Sequence, residues 1–256
     1  MRVLITGALG FIGSSLVAHL RQQTDWPLRL LVRRVPPALV DWVQDLEVWK
    51  GDLTQPETLQ GLGTGVDAVV HLAALDAGAC RADPVAAQRV NVEGTLHLLR
   101  ALEGAALQQV IYLSTFHVYG ANQRDRVTEA TPVAPLHPYA TTHAMAELLV
   151  SEYARQRQQG ATLLRLANSC GPPLYTEASC WQLAVNDLCR QAVEQQRLVL
   201  RSSGLQVRNF IALADVVRAL AWLLGRGAEG VQTLNLGGDR THSILEVVQA
   251  VQACYQ

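Results

Sequence analysis

Three glycines near the start of the chain have the spacing of a phosphate-binding loop. Gly7, Gly10 and Gly13 follow a short apolar run at residues 3–5, and an apolar segment compatible with a helix begins at Phe11. This order of strand, glycine loop and helix can cradle a pyrophosphate, because free backbone N–H groups at the helix N-terminus point at the anion. An ordinary βα turn is the alternative, since the chain contains 19 glycines. The expected contacts come from the loop and the first helical turn: Gly7, Gly10, Phe11, Ile12 and Gly13.

Two arginines bear on which dinucleotide such a loop would hold. Arg33 and Arg34 directly follow the second predicted strand, residues 29–32. In dinucleotide folds that prefer NAD, an acidic residue near this point binds the adenosine ribose. A guanidinium instead suits a 2′-phosphate, so the pair favours NADP, with NAD as the alternative cofactor. Both arginines could also be solvated loop residues.

The segments that position these residues alternate between strands and helices. Such alternation predicts an α/β fold of the Rossmann type, a doubly wound parallel sheet with ligands at the carboxyl ends of its strands. Long helices are expected at residues 84–103 and 139–158. The predicted strands are residues 3–5, 29–32, 46–49, 67–71, 110–113 and 162–166.

The pattern changes near residue 172. We expect a dinucleotide-binding domain at residues 1–171 and a small C-terminal substrate lobe at 172–256, interleaved with the main sheet as a single structural unit. A loop is expected at residues 120–138, and Asp215 is read as a helix N-cap. The predicted lobe elements are a helix at 180–194, strands at 198–200 and 207–211, a helix from Ala214, a strand at 233–236 and a helix at 244–253.

The composition narrows the classes of partner. The 256 residues carry a net charge of −1, which gives no support to nucleic-acid binding, and no apolar run reaches membrane-spanning length. Five scattered cysteines without paired spacing fit reduced thiols rather than disulfides or a metal site. The sequence therefore predicts a cytoplasmic protein that acts on a small molecule.

Eight motifs, the glycine loop among them, occur together. TGALGFIG, GDLT, HLAA, NVEGT, YLST with HVYG, PYATTHAMAE, LRLANSCGP and RNFIALADV follow one another along nearly the whole chain. In this order they resemble the extended short-chain dehydrogenase/reductase family, the NAD(P)-dependent sugar-nucleotide epimerases and dehydratases. The resemblance implies that Asp52 and Leu53 meet the adenine and that Asn91 supports the site. It also implies that the cofactor is lined by Leu72, Ala73 and Ala74.

The resemblance assigns the proton chemistry to Thr115 and Tyr139. Tyr139 stands at the position of the family's catalytic tyrosine, and Thr115 at that of the hydroxyl that holds the substrate oxygen. The family places a lysine four residues after the tyrosine, where it binds the nicotinamide ribose and lowers the tyrosine pKa. Here that residue is His143, and the one lysine of the chain, Lys50, lies at the adenine end. His143 is read either as a cofactor contact or as a passive replacement, and we expect weakened general-base chemistry.

The residues expected on the substrate side also differ from the family pattern. Dehydratases of the family have an Asp-Glu pair after the catalytic threonine, whereas this chain has Phe116 and His117, which disfavours dehydration. His117 could act as an acid or base, or could be an ordinary surface or core histidine. Asn168 and Arg208 stand where the family holds the nucleotide-sugar pyrophosphate, although Arg208 could also form a surface salt bridge.

The favoured interpretation is an NAD(P)-dependent epimerase or oxidoreductase that acts on a nucleotide sugar or a related alcohol or carbonyl. The alternative is a cofactor-binding sensor or partner protein with an impaired site, which His143 favours. By family resemblance a homodimer through helices 84–103 and 139–158 is expected, although the apolar stripe of the second helix could also face the core. Members of the family commonly continue beyond the point where this chain ends, which predicts a small or open substrate site.

Overall fold

The central element of the computed structural model, which describes residues 1–120, 126–200 and 202–255, is a parallel sheet of seven strands. Its strands are β1 (Val3–Thr6), β2 (Leu28–Val32), β3 (Glu47–Lys50), β4 (Ala68–His71), β5 (Gln109–Thr115), β6 (Gly160–Leu166) and β9 (Val231–Leu236). Their order is β3-β2-β1-β4-β5-β6-β9, and every neighbouring pair is parallel. The order reverses between β1 and β4, which confirms the predicted doubly wound Rossmann-type sheet and puts a crevice at the carboxyl ends of both strands.

Helices cover both faces of this sheet. They are α1 (Phe11–Gln23), α2 (Ala77–Ala82), α3 (Pro84–Ala87), α4 (Gly94–Ala101), α5 (Pro138–Arg157), α6 (Ala184–Gln195), α7 (Leu213–Arg226) and α8 (Ile244–Tyr255). On one face α1 packs against α7 through buried residues such as Leu16 and Leu220. On the other face α4 packs against α5 through Leu98 and Val150. Strands such as β1 are buried on both sides, and this explains their continuous apolar runs.

A second, smaller sheet is built from later segments. It contains β7 (Asn168–Cys170), β8 (Val207–Ala212) and β10 (Thr241–Ser243), in the order β10-β8-β7. Strand β9, which lies between β8 and β10 in the chain, returns to the main sheet beside β6. The C-terminal segments therefore contribute to both sheets, and β7 follows directly from the carboxyl end of β6.

Three local predictions in the C-terminal part are wrong. Residues 198–200 are not a strand, because the Val199 N–H donates to the Gln191 side chain at 2.8 Å instead of to a strand partner. The helix predicted at 180–194 begins only at Ala184, since Leu183 still belongs to a turn that closes on Cys180. Asp215 lies within the first turn of α7, whose N-cap is Ala212, and it pairs with Arg218.

The helix predicted at 84–103 is interrupted. Between α3 and α4 the residues Gln88–Glu93 form a π-helical segment, and α4 ends at Ala101. Such wide turns inside a helix often accompany functional sites, and this one contains Asn91. Residues 121–125 of the predicted 120–138 loop and Gln256 lie outside the described residues. Among the described helices, none is long and apolar enough to cross a membrane.

Candidate active site

A continuous cleft of about 2140 Å³ runs along the carboxyl ends of the main-sheet strands. It extends from the arginines after β2 to the β8 strand of the second sheet. All the residues predicted to bind cofactor or substrate line it except Asn91. Those residues are Gly7, Gly10, Phe11, Ile12, Gly13, Arg33, Arg34, Asp52, Leu53, Leu72, Ala73, Ala74, Thr115, Tyr139, His143, Asn168 and Arg208.

The glycine loop has no room for side chains. Gly7 has a φ of +64°, and a Cβ there would lie 2.8 Å from the backbone nitrogen of Ala73. A Cβ on Gly13 would collide with the carbonyl oxygen of Gly7, which also accepts a hydrogen bond from the Gly10 N–H at 2.9 Å. The turn therefore brings backbone close to backbone and leaves the N-terminus of α1 open to the cleft. These features fit the pyrophosphate of a dinucleotide.

A buried polar relay fixes the loop after β4 beside the glycines. The Thr6 hydroxyl accepts the N–H groups of Leu72 and Ala73 at 3.2 and 3.1 Å and contacts Nδ1 of His71 at 2.6 Å. Burial lowers the pKa of His71 to about 4, so its ring stays neutral at physiological pH. No sequence pattern marks this pair, because Thr6 and His71 lie on separate strands and meet only through sheet pairing.

Asn91 does not line the cleft, but its side chain contacts two segments beside it. Its side-chain oxygen accepts the Leu75 N–H at 2.8 Å, and its amide donates to the Thr142 hydroxyl at 3.0 Å. The Thr142 hydroxyl in turn donates to the carbonyl oxygen of Tyr139 at 3.1 Å. These contacts join the loop after β4 to the start of α5.

The end of the cleft that lies beside β2 is polar and exposed. Arg33 and Arg34 are both exposed, and within the described ranges neither has an acidic partner within 4.0 Å. Asp52 is held in a turn by Thr54, whose N–H and hydroxyl both donate to its carboxylate at 2.8 Å. The two guanidinium groups are thus available to an anionic ligand at this end.

Thr115 and Tyr139 meet where β5 and α5 enter the cleft. Thr115 is the last residue of β5 and is buried, while Tyr139 is the second residue of α5 and is half-buried. Burial raises the pKa of Tyr139 to about 12, and the neighbouring Thr115 side chain opposes this rise. At neutral pH Tyr139 is therefore a phenol, a form that can donate a proton.

His143 lies one helical turn below Tyr139 with its ring edge-to-face against it, 4.4 Å between ring centroids. Its Nδ1 lies 2.6 Å from the hydroxyl of Tyr112 on β5, and its Nε2 has no hydrogen-bond partner among the described residues. Burial lowers the pKa of His143 to about 3. The residue in the family's lysine position is therefore neutral and does not lower the pKa of Tyr139 by charge.

Two more histidines surround Tyr139 on the open side. His137 caps α5 by accepting the Ala140 N–H, and its ring stacks on Tyr139 with 6.2 Å between centroids. His117 is exposed, 5.9 Å from Tyr139 and 5.1 Å from His137, measured between ring centroids. Partial desolvation by the cleft walls and the neighbouring His137 lower the pKa of His117, which keeps its imidazole neutral at physiological pH.

A buried ion pair anchors the strand that carries Thr115. Arg165 on β6 pairs with Glu147 on α5 at 2.7 and 3.0 Å, and Glu147 also accepts the Ser114 hydroxyl at 2.5 Å. Arg165 also donates to the hydroxyl of Tyr119, which donates to Asn235 on β9 at 2.7 Å. This network around Arg165 joins β5, β6, β9 and α5.

The far end of the cleft carries Asn168 and Arg208. The Asn168 amide donates to the backbone oxygen of Asn209 at 2.9 Å, so its side-chain oxygen is the atom left for a ligand. Arg208 is exposed and donates one N–H to the Val207 carbonyl. It is not held by an acidic residue in the described part of the chain, and its guanidinium can bind an anion.

Known proteins share this sequence and architecture. The human dTDP-D-glucose 4,6-dehydratase is 29% identical over 262 residues, which covers 97% of this chain and 72% of the human protein. The structure of MoeE5 in complex with UDP-glucose and NAD is 28% identical, with a TM-score of 0.86 over 99% of this chain and 82% of MoeE5. The UDP-glucose 4-epimerase of Thermus thermophilus, solved with NAD, is 26% identical with a TM-score of 0.86 over 100% of this chain and 83% of the epimerase.

The family is settled by the match over most of the chain. The model of the NAD dependent epimerase/dehydratase family matches residues 3–237, from the first strand through the last strand of the main sheet. This range includes the glycine loop, Thr115, Tyr139, His143 and Arg208. The chain therefore belongs to the NAD-dependent epimerase/dehydratase family of enzymes, within the extended short-chain dehydrogenase/reductases.

Proposed function

We propose that this enzyme is an NAD(P)-dependent epimerase or oxidoreductase of nucleotide sugars, with Tyr139 as its proton-transfer group. The observation that carries the proposal is that Tyr139 and Thr115 share one cleft with the glycine loop and with Arg208. A cleft with an anion cradle at one end and a free guanidinium at the other suits a dinucleotide and a sugar attached to a pyrophosphate. The relatives act on or bind substrates of this class, as their names state.

The proton chemistry follows from the side chains. A bound nicotinamide would accept or return hydride, and the chain's own residues would orient the sugar and handle the proton. The Thr115 hydroxyl holds the reacting sugar oxygen. The Tyr139 phenol gives a proton to that oxygen when a carbonyl is reduced, and its phenolate takes the proton when an alcohol is oxidised. Because the pKa of Tyr139 is raised to about 12, the site at neutral pH is already protonated for carbonyl reduction.

We propose further that the reaction does not include dehydration. Elimination of water needs an acid and a base beside the reacting carbons, and the resemblance leads one to expect an Asp-Glu pair after Thr115. Phe116 has no ionisable group, and His117 is a single neutral imidazole that faces the open cleft. This difference separates the chain from the dehydratases among its relatives, although the human dehydratase is 29% identical.

For the cofactor we propose NADP, with NAD as the alternative. Arg33 and Arg34 line the cleft just after β2, where the adenosine ribose is bound in folds of this kind. Both guanidinium groups are exposed, and a 2′-phosphate would give them the partner that the described residues do not supply. The structures of MoeE5 and of the Thermus epimerase hold NAD, so the preference rests on the two arginines alone.

The experiment is a product analysis with defined probes. The protein is incubated with NAD or NADP and either UDP-glucose or dTDP-glucose, and the sugars are analysed by mass spectrometry and NMR. An epimer of unchanged mass, or a product that has lost two hydrogens to the oxidised cofactor, is the expected result. A product that has lost water would contradict the exclusion of dehydration.

A second candidate function is a cofactor-binding sensor, and the neutral His143 is the observation that favours it. In the same incubations, a cofactor that binds while the sugar is recovered unchanged and no reduced cofactor forms would support the sensor. The same set of incubations therefore distinguishes the enzyme from the sensor.

We propose in addition that the protein is a homodimer through α5 and the helical segment at residues 84–103. The apolar stripe of α5 is partly exposed and partly buried. Leu148 is 71% exposed and Met145 is 40% exposed, while Ala154 is buried in the core. Leu148→Glu should convert a dimer into a monomer in light scattering, whereas a wild-type monomer would contradict the proposal.

A further inference from the structure

Tyr112 and His143 form a buried pair at the base of the cleft, on the side of Tyr139 that faces the sheet. The Tyr112 side chain comes from β5 and the His143 side chain from α5, and both are almost fully buried. Their rings lie 5.9 Å apart, measured between centroids, and the Tyr112 oxygen is 2.6 Å from the His143 Nδ1. The contact joins two side chains and is not part of the backbone hydrogen bonding of β5 or α5.

The protonation of the pair follows from its burial. Burial holds the pKa of Tyr112 well above its usual value, and it lowers the pKa of His143 to about 3. Both side chains are therefore neutral across the physiological range. A neutral imidazole has one nitrogen that donates and one that accepts, and the hydrogen bond to one nitrogen sets the role of the other.

The direction of the hydrogen bond follows from the partners at hand. Among the described residues, the Tyr112 hydroxyl has His143 Nδ1 as its hydrogen-bond partner. If Nδ1 carried the hydrogen, the buried O–H of Tyr112 would have no acceptor, which is unfavourable. The Tyr112 hydroxyl therefore donates to Nδ1, and the hydrogen of the ring resides on Nε2.

The remaining ring nitrogen points to a ligand. Nε2 is buried and has no hydrogen-bond partner in the ranges that the structure describes, yet His143 lines the cleft beside Tyr139. A buried N–H without an acceptor is rare in folded proteins unless a ligand or water supplies one. His143 lines the same cleft as the glycine loop, so a hydroxyl or carbonyl oxygen of a bound dinucleotide is the acceptor that fits Nε2.

We infer that Tyr112 is a positioning residue, which holds His143 as an uncharged Nε2–H donor to an oxygen of the nicotinamide half of the bound dinucleotide. The inference rests on the proposed function to the extent that a dinucleotide occupies the cleft. It assigns His143 a binding role without charge, through a tyrosine 31 positions earlier in the chain. Cofactor binding then does not depend on protonation of residue 143 between about pH 5 and pH 9, because the pKa values of both partners lie outside that window.

The test compares two conservative variants. Tyr112→Phe removes the hydroxyl and keeps the ring, and Tyr153→Phe is its matched control. Tyr153 is buried in the same core cluster, but its hydroxyl donates to the Leu102 carbonyl at 3.3 Å, away from the cleft. Dissociation constants for NAD and NADP are measured by calorimetry. Tyr112→Phe should weaken binding of the preferred dinucleotide about tenfold, and Tyr153→Phe should bind like the wild type.

A spectroscopic readout separates positioning from packing. In protein labelled with ¹⁵N-histidine, long-range nitrogen–proton correlations should show the His143 hydrogen on Nε2 in the wild type and in Tyr153→Phe. In Tyr112→Phe the hydrogen should redistribute towards Nδ1. A wild-type ring with its hydrogen on Nδ1 would overturn the inference, and this reading does not require any ligand.

A rescue variant completes the design. His143→Gln keeps a donor that does not depend on a tautomer, so adding Tyr112→Phe to it should cause no further loss of affinity. Equal tenfold losses in both backgrounds would show that Tyr112 acts by packing alone and would overturn the inference. Wild-type protein that binds neither NAD nor NADP would instead defeat the proposed function, and with it the ligand assigned to Nε2.

Discussion

The two ends of the cleft are built by different means. At the glycine-loop end the cleft is shaped by backbone: Gly7 and Gly13 bring main chain close to main chain, and the N-terminus of α1 faces the cleft. At the proposed proton-transfer end the cleft is shaped by side chains, where Tyr139 is surrounded by the neutral rings of His143, His137 and His117. The first end follows the family pattern, whereas the second departs from it at His143, Phe116 and His117.

The difference teaches which parts of such a site can change. A backbone cradle works only if a few positions lack side chains, so any substitution there is excluded by sterics. A side-chain site can exchange a lysine for a histidine without disturbing the fold, because Tyr112 supplies the hydrogen bond that holds the new ring. We therefore expect cofactor binding to be preserved and proton transfer to be altered in this enzyme.

The largest expected effect separates the two ends by function. Tyr139→Phe should lower turnover by about 10²–10⁴-fold, the contribution typical of a general acid or base, and leave the dissociation constant of the dinucleotide unchanged. Tyr175→Phe is the matched variant, because the Tyr175 hydroxyl donates to the Leu9 carbonyl of the glycine loop at 2.6 Å. It should weaken dinucleotide binding and change turnover at saturation little. Turnover in Tyr139→Phe that equals the wild type would contradict the role of Tyr139.

The second effect concerns the backbone cradle. Gly13→Ala puts a Cβ into the Gly7 carbonyl, and the strain of about 3 kcal/mol corresponds to a loss of dinucleotide affinity of roughly a hundredfold. Gly225→Ala is the control, since its Cβ would meet Trp26 at 3.9 Å and alanine favours helix α7. Calorimetric titration measures the dinucleotide affinity of each variant, and circular dichroism measures whether its fold is intact. If both variants bound NAD and NADP equally well, the cradle would not be the binding element.

The third effect tests the neutrality of the proton-transfer end. The folded pKa of His143, about 3, lies below its unfolded value of about 6.5. The unfolded state therefore binds more protons, and the stability is complete above pH 6.5 and is lost as the pH falls towards 3. At pH 5 this residue should lower the free energy of unfolding by about 2 kcal/mol relative to pH 7. In urea unfolding, the free energy of unfolding of His143→Gln should not show this decrease between pH 7 and pH 5. If His143→Gln had the same pH dependence as the wild type, a buried neutral imidazole at residue 143 would be refuted.

The smallest effect concerns the exposed arginines. Arg33→Ser should weaken NADP binding about fivefold to tenfold, because an exposed guanidinium contributes roughly 1 kcal/mol to phosphate binding. NAD binding should stay the same. Calorimetric titration of both dinucleotides measures this, and equal losses for the two would show that Arg33 does not read the 2′-phosphate.

The glycine-loop end was within reach of the sequence because its signals are local. The glycines, the apolar strand before them and the helix after them stand next to one another, and the alternation of strands and helices predicted the parallel main sheet. The four-residue spacing of Tyr139 and His143 placed both on one face of a helix, as the structure has them.

The remaining features depend on contacts that are distant in the chain. The partner of His143 is Tyr112, and the partner of Thr6 is His71, 65 positions away. Nothing near these residues marks them, since a tyrosine or a histidine on a buried strand has the same local pattern as a core residue. The strand predicted at 198–200 failed for a similar reason, because the Gln191 side chain takes the Val199 N–H that a strand partner would have used.

The central claim is that a preserved dinucleotide cradle serves a proton-transfer group without a cationic neighbour. The direct measurement follows the absorbance of reduced nicotinamide after UDP-glucose or dTDP-glucose is mixed with protein saturated with the oxidised cofactor, over a range of pH. For wild type we predict a rate that rises roughly tenfold per pH unit through neutrality, since a phenol of pKa about 12 must lose its proton. In His143→Lys the positive charge should lower the pKa of Tyr139, so the rate should reach its plateau at a lower pH than in the wild type. A wild-type rate that is already level below pH 8, or no hydride transfer at any pH while the cofactor is bound, would contradict the account.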